Sequence, residues 1–436
     1  MKVIKRDGRV VPFDTEKIKN AIMKAFIEVD GRDDIDEDWI GHLVEDIITT
    51  LKHRFVGSIN IEDIQDTVEN ALMEARKDVA KAYILYRDKR TRERNKKARL
   101  TKAIGEKLSA SNIVNQNANI DEMSFGGRMG EASSEMAKDY ALNYCMTAMS
   151  MDNHLNNQIY IHDLNSYAVG MHNCLTIPFD DLLANGFNTR QTDVRPANSI
   201  NTALQLVAVI FQLQSLQEFG GVSAGHLDTT LAPYIKKSFY KHYIDGLQYI
   251  SEGNLEGNYK QHIIERIDPT ESIVAEAYKE CPDTYRYAMD MTLKETQQAV
   301  EGMFHNLNTL QSRSGNQLPF TSINFGTDTT PEGRMASKAI LEGCIKGVGK
   351  NHRTSIFPCV IFQHMKGIND KPGTPNYDLY RLALQSTAKR LYPNYANVDW
   401  SGNEGYDKND IRTYFSTMGL VIILAHLKPF EPCLGV

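Results

Sequence analysis

The stretch YIHDLNSYAVGMHNCLTIPF, Tyr160 to Phe179, closes on MHNCLTI, a short apolar run that reads as a strand and carries the cysteine Cys174 behind a histidine-rich approach. A lone thiol there points to chemistry rather than to cross-linking, whereas a buried structural cysteine beside core histidines is the plainer reading of the same residues. Outward from it, long helical patterns alternate with shorter apolar stretches. Ala197 to Phe219 reads as a helix, with Leu204, Val207, Ile210, Phe211 and Leu213 on one broad side and Gly220-Gly221 ending it. SINFG and SIFPCVIFQ are further strand candidates, and this alternation predicts an α/β architecture.

Composition bounds the function. The 436 residues suggest two to three domains, and 42% hydrophobic residues suffice for a sizeable core. Charged KVIKRDGR follows Met1 directly and no apolar run nears the roughly 18 residues of a membrane helix, so a cytoplasmic, non-membrane protein is expected. Six cysteines (Cys145, Cys174, Cys281, Cys344, Cys359, Cys433) contain no CxxC pair, against a zinc site or a disulfide framework within the chain. A net charge of -6 gives no global pull toward nucleic acid, so any anionic ligand must be held by local cations.

At the front, VIKRDGRVVPFD reads as two short strands around Asp7-Gly8. A helix follows, with Asp14 or Thr15 as N-cap and Ile18, Ile22 and Ala25 on one face; a second covers Glu37 to Leu51 and a third begins near Ile61. Lys5 and Arg6 flank the glycine turn, Lys17 and Lys24 lie on the next helix, and Tyr83 and Arg87 fall one helical turn apart; a charged hairpin tip is the simpler account of KRDG. Arg87 to Arg99 holds eight Lys or Arg residues against Asp88 and Glu93, but without interleaved aromatics it reads as a solvated helix leading into a linker, not as a nucleic-acid patch.

Several separate motifs carry a family resemblance: IHDLNSYAVGMHNCL, then DVRPANSINTALQLVAVIFQLQSLQEFGGVSAGHLDTTLAPYI from Asp193, SRSGNQLPFTSINFG from Ser312, and LYPNYANVDWSGNEGYDKNDIRTYFSTMG ending at Gly419. Together they resemble the catalytic subunit of anaerobic (class III) ribonucleoside-triphosphate reductase, and the front of the chain resembles an ATP-cone. The resemblance implies an α/β fold: a mostly helical ATP-cone (residues 1–95), a linker (96–120), and, over 121–436, part of a ten-stranded barrel of the glycyl radical enzyme type. It implies reduction of ribonucleoside triphosphates by radical chemistry. Cys174 would return hydrogen to the sugar after the 2′ hydroxyl leaves; His162, Ser223, His226 and Asp228 would sit near substrate, and each could equally be a satisfied core polar residue. Lys5, Arg6, Lys17, Lys24, Tyr83 and Arg87 would contact ATP or dATP as allosteric effectors, with Mg2+ carried on the nucleotide. Arg313 to Gly326 offers cations and amides to a triphosphate tail, although a plain loop and strand explains it nearly as well. Formate is the implied reductant, a radical-SAM activating enzyme the implied partner, and a homodimer the implied assembly, with the 197–219 helix as candidate interface.

The resemblance stops at STMG, Ser416 to Gly419. The family continues with a radical-accepting cysteine; this chain places Leu420 there and runs on through LVIILAHLKPFEPCLGV, in which Cys433 is no substitute. The zinc module and the glycyl radical loop are likewise not found. The expectation is therefore an interrupted reading frame, a half-barrel with exposed strand edges, and a chain that does not turn over alone; the alternative is a regulatory fragment that keeps only nucleotide binding by the cone.

Overall fold

The computed structural model describes residues 1–6, 8–32, 35–109, 124–170, 173–218, 220–250, 259–313, 317–400 and 405–417, with the side chains of 92–98 left aside. Chain contacts divide it into two compact units, Met1–Ala103 and Ile104–Val436.

In the first unit, β1 (Lys2–Ile4) pairs antiparallel with β2 (Val10–Pro12), as the sequence predicts, and Gly8 at φ 80° supplies the left-handed turn between them. A third strand not foreseen, β3 (Ser58–Asn60), pairs parallel with β1. Helices α1 (Thr15–Asp30), α2 (Glu37–Arg54), α3 (Ile61–Ala75) and α4 (Lys77–Ser109) follow the expected apolar faces. Asp14 caps α1 by backbone position without a side-chain cap bond to a helix N–H, and its carboxylate pairs instead with the Lys17 ammonium one turn on at 3.0 Å. Ile22, Phe26, Ile40, Ile47, Leu51 and Leu72 form one buried core. Helix α4 runs without a break through Ser109; the rest of the expected linker lies outside the described residues.

The second unit begins with α5 (Phe125–Tyr140) and α6 (Ala148–Leu155), then β4 (Leu175–Thr176), α7 (Phe179–Asn185) and a small hairpin of β5 (Phe187–Asn188) and β6 (Asp193–Val194). Next come α8 (Ile200–Ser215), β7 (Val222–Ala224), α9 (Leu227–Tyr249), α10 (Tyr259–Arg266) and α11 (Pro282–Thr309). The last elements are β8 (Thr321–Phe325), α12 (Pro331–Lys346), β9 (Cys359–His364), α13 (Tyr377–Arg390) and β10 (Asn394–Asn397).

Helix α8 is shorter than the predicted 197–219. Ser199 caps it by accepting from Thr202 N, and it ends at Ser215, whose hydroxyl bonds back to the Phe211 carbonyl, rather than at the glycine pair. Leu213, expected on the apolar face, is 41% exposed. MHNCLTI contributes a strand of only two residues, its Met171 and His172 lying outside the described residues.

Five strands form one sheet in the order β10-β9-β8-β7-β4, and every pair is parallel. Spatial order equals chain order, so each crossover advances one place in the same direction, and crossovers of one hand put the connecting helices on a single face. Side chains alternate between faces. Val222, Ala224, Ile323, Phe325, Val360 and Phe362 face the helices and join their core, with Phe325 edge-on to Phe362 at 5.7 Å. The opposite face carries Thr176, Ser223, Ser322, Asn324, Cys359 and Gln363, with Ile361 as an apolar member. This is the α/β class the sequence predicts; among the described residues there is one five-stranded parallel sheet and no ten-stranded barrel.

Candidate active site on the polar face of the sheet

Parallel strands are ordinarily apolar on both faces because both are covered. Here one face is polar yet buried: Ser223, Ser322, Asn324 and Gln363 are all 0% exposed. Polar groups cost free energy when buried without partners, so such a lining marks a chamber built to hold something polar. The chain itself fills part of it. Asn324 Nδ2 donates to the Thr417 carbonyl (3.2 Å) and to Ser223 Oγ (3.0 Å), while Asn324 Oδ1 accepts from Thr417 N (3.2 Å). Two buried atoms on this face, Ser322 Oγ and Gln363 Oε1, have no hydrogen-bond partner.

Cys174 stands one residue before β4, on the face of Thr176, and lies level with Gly221 when the β4–β7 register is carried back one residue. Its Sγ accepts from Gly221 N at 3.2 Å, and its thiol points to Asn173 Oδ1 at 3.5 Å. That fit explains Gly220: a Cβ there would lie 1.9 Å from the Asn173 carbonyl and 2.4 Å from Cys174 Sγ. By strand spacing and rise, Ser223 sits about 8 Å from Cys174 along the same face. The other thiols differ. Burial pushes Cys344 up to about 12 and raises Cys359, so both are inert protonated groups, whereas Cys174 is half-buried at an edge of the sheet.

Arg313, in the loop entering β8, is the cation of this edge. Burial lowers its pKa, while Asp163 and Cys174 lie near enough to oppose that shift. Its guanidinium also donates to Gln317 Oε1 at 2.8 Å.

The four residues expected beside substrate separate. Ser223 is on the polar face. His226, just beyond β7, bonds through Nε2 to Asp180 Oδ2 at 2.8 Å, and Asp180 Oδ1 accepts from Thr230. Burial works against the imidazolium, yet the hydrogen bond and charge of Asp180, with Asp228 behind, carry its pKa above the ordinary histidine value. Asp228 is fully buried; its carboxylate accepts from Thr229 N, Gly326 N, Asp328 N and Ser337 Oγ, tying the start of α9 to the β8–α12 loop. His162 faces solvent, 78% exposed and paired with Asp163.

Four of the six cone residues form two pairs. Arg6 and Arg87 meet at Glu62, which bonds to both; Arg6 also donates to Gln65, and Arg87 to Asp66 and Glu69. Lys24 and Tyr83 instead line a cavity of about 630 Å³ between α1 and α4, shared with Glu28, Tyr86 and Lys89. Burial raises the Tyr83 phenol to about 12. Lys17 is spent on Asp14 and is 80% exposed; among the described residues no side-chain contact gathers Lys5 with the others.

Sequence reasoning reached Asn324 and Gln363 only as parts of longer stretches, took Gly220 for a helix stop, and did not reach Asp180. The available signal was the alternation in SINF, where polar residues stand at every second position. Among the described residues no cluster of His, Cys, Asp and Glu is arranged to hold a metal ion, and no helix is long and apolar enough to cross a membrane.

The chain is similar to known proteins over most of its length. The profile of the anaerobic ribonucleoside-triphosphate reductase family matches residues 116–419, and that of the ATP cone domain matches residues 1–92. The anaerobic ribonucleoside-triphosphate reductase of Haemophilus influenzae is 34% identical over 91% of the chain and 52% of its own length; that of Escherichia coli is 32% identical over 91% and 51%. A crystal structure of the anaerobic ribonucleotide reductase from Thermotoga maritima in complex with dATP and CTP aligns at a TM-score of 0.43 and 14% identity, over 69% of the chain and 48% of its own. The chain spans about half the length of the curated relatives it matches.

Proposed function

Because the chain belongs to the anaerobic ribonucleoside-triphosphate reductase family, we propose that it serves the reduction of ribonucleoside triphosphates to deoxyribonucleoside triphosphates, with Cys174 as the hydrogen donor. The observation that carries this reading is the thiol itself: half-buried, seated on Gly221 N, and aligned with a buried polar face that has hydrogen-bonding capacity to spare. A ribose offers that face hydroxyls to match, and the triphosphate's charge calls for a cation at the entrance, where Arg313 stands. In the family reading a radical supplied elsewhere in the protein opens the 3′ C–H bond. The part of this chain is to hold the sugar, let the 2′ hydroxyl leave as water, and return hydrogen from Cys174 Sγ. Formate, oxidised to carbon dioxide, supplies the two electrons, and a radical-SAM enzyme activates the protein.

Regulation follows the same reading. ATP or dATP with its Mg2+ would occupy the first unit, with Lys24 and Tyr83 lining the cavity for the nucleotide and Arg6 and Arg87 exchanging Glu62 for phosphate. A homodimer through α8 is supported by exposed Val209 and Leu213 on that helix. The decisive assay is anaerobic turnover of a ribonucleoside triphosphate with activating enzyme, S-adenosylmethionine and formate. The chain is expected not to turn over alone, so the assay supplies the radical-bearing part of a family enzyme in trans; deoxynucleotide should then form with the wild type and fall to background in Cys174→Ser, and equal product from both defeats the assignment. The second reading, a nucleotide-binding regulatory module, rests on the α1–α4 cavity and is favoured instead if calorimetry shows ATP binding while turnover is absent.

A further inference from the structure

The closing segment Ser416–Thr417 is seated on the polar face by one side chain. Asn324 addresses Thr417 as a neighbouring strand would, donating to its carbonyl and accepting from its N–H, and it also accepts from Thr417 Oγ1 at 3.3 Å. The amide is itself pinned, through Nδ2, to Ser223 Oγ and to the Ala224 carbonyl at 3.0 Å. The strand ends make room for the segment. Gly225 has no side chain, and a Cβ there would lie 2.9 Å from Ser416 Oγ. Gln363 reaches across to the Gly225 carbonyl at 3.3 Å and leaves its Oε1 buried and unpaired beside this contact. A buried amide that pairs with both polar groups of one remote residue fixes that residue's height and orientation at once, which hydrophobic contact alone does not.

We propose that Asn324 is a positioning residue: it sets where the chain enters the chamber at Ser416–Thr417, with Gly225 as the clearance that lets the segment lie flat. The purpose of this, aligning the incoming segment with the face that carries Cys174, rests on the reductase reading; the docking does not.

The test is amide hydrogen exchange at Thr417 in the full chain, which reads the bond to Asn324 Oδ1 directly. Asn324→Ala should lower protection there on the order of tenfold, the loss of about one buried hydrogen bond, while amides of β8 and β9 stay protected. Asn324→Asp adds a signature that a merely space-filling role would not show. The ionised carboxylate repels the Thr417 carbonyl, whereas the protonated acid has the shape of the amide and both donates and accepts. Its groups in contact are the hydroxyls of Ser223 and Thr417, the Thr417 N–H and two backbone carbonyls, and the two carbonyls, left without a donor, drive the ionised side chain away from the segment. Protection relative to wild type at the same pH should therefore be lost near neutrality and regained in part as the pH falls through the carboxyl's pKa. Gly225→Ala, which leaves Asn324 intact, should also expose Thr417. Unchanged protection in Asn324→Ala, or an Asn324→Asp profile with no pH dependence, overturns the proposal. A wild type that makes no deoxynucleotide even when the radical-bearing part of a family enzyme is supplied in trans leaves the exchange result standing and counts against the reductase reading alone.

Discussion

The two units hold their candidate ligand groups in opposite ways. In the first, Arg6, Arg87 and Lys17 sit at the surface already matched by carboxylates, with Glu62 shared between the two arginines. In the second, Ser223, Asn324 and Gln363 are sealed inside and held by backbone groups. Exposed ion pairs contribute about 0–1 kcal/mol each and exchange partners at little cost, while a buried polar group that loses its partner costs about 1–3 kcal/mol. Under the proposed function the contrast would suit a division of labour, in which an effector site releases and rebinds and a reaction site keeps its geometry.

The strongest way to break that contrast is to empty the buried side of it. Asp228→Ala removes the acceptor of three backbone N–H groups and of Ser337 Oγ. The expected loss is on the order of 3–5 kcal/mol in denaturant unfolding of the second unit; a loss under about 1 kcal/mol would mean that this buried scaffold is no more demanding than the surface of the first. Gly220→Ala is next. Its Cβ would overlap the Asn173 carbonyl, so the backbone under Cys174 has to move, and overpacking of this kind costs about 1–3 kcal/mol. Deoxynucleotide formation should fall with it, and unaltered turnover would show that Cys174 tolerates displacement.

The smallest effect belongs to the cone. Glu62→Gln should change stability by no more than about 1 kcal/mol while tightening ATP binding in calorimetry, because both arginines lose a competing charge. The sign with pH follows from the same residue. Arg6, then Arg87, hold the Glu62 carboxyl below its ordinary range, so its pairing is complete above the usual carboxylate pKa and is lost as the pH falls through the depressed value. Nucleotide affinity that weakens in Glu62→Gln would mean that Glu62 binds the ligand rather than competing with it.

Much of this organisation was legible in the sequence where periodicity had room to repeat. Helices of 15 or more residues, such as α1 and α3, show their buried faces in the spacing of Ile18, Ile22 and Ala25 or of Ile64, Val68 and Leu72. Strands of two to four residues do not. VSA and NYAN have no alternation to count, and both became strands, β7 and β10, because neighbours in the sheet accept them. The site was legible to the same degree. Cys174 stood out as a lone thiol at a strand head, but the partition of the other polar residues depends on which strand lies beside which. Asp228 and His226 read alike in GGVSAGHLD; one is consumed by four donors, while the other is held by Asp180, 46 positions away. Gly220 is a helix stop by sequence and turns out to be the bed of Cys174.

The chain-ordered sheet has a bearing on biosynthesis. Each strand of the sheet docks beside the sheet strand made before it, so a polypeptide leaving the ribosome can extend the layer without threading, although every pairing closes over a long helical crossover, as Val222 does with Thr321. Thr417 comes last and travels back 93 positions to reach Asn324. The hydrophobic side of the layer is thus complete before its wet side is closed, and the lining stays open to solvent until nearly all of this chain has been made.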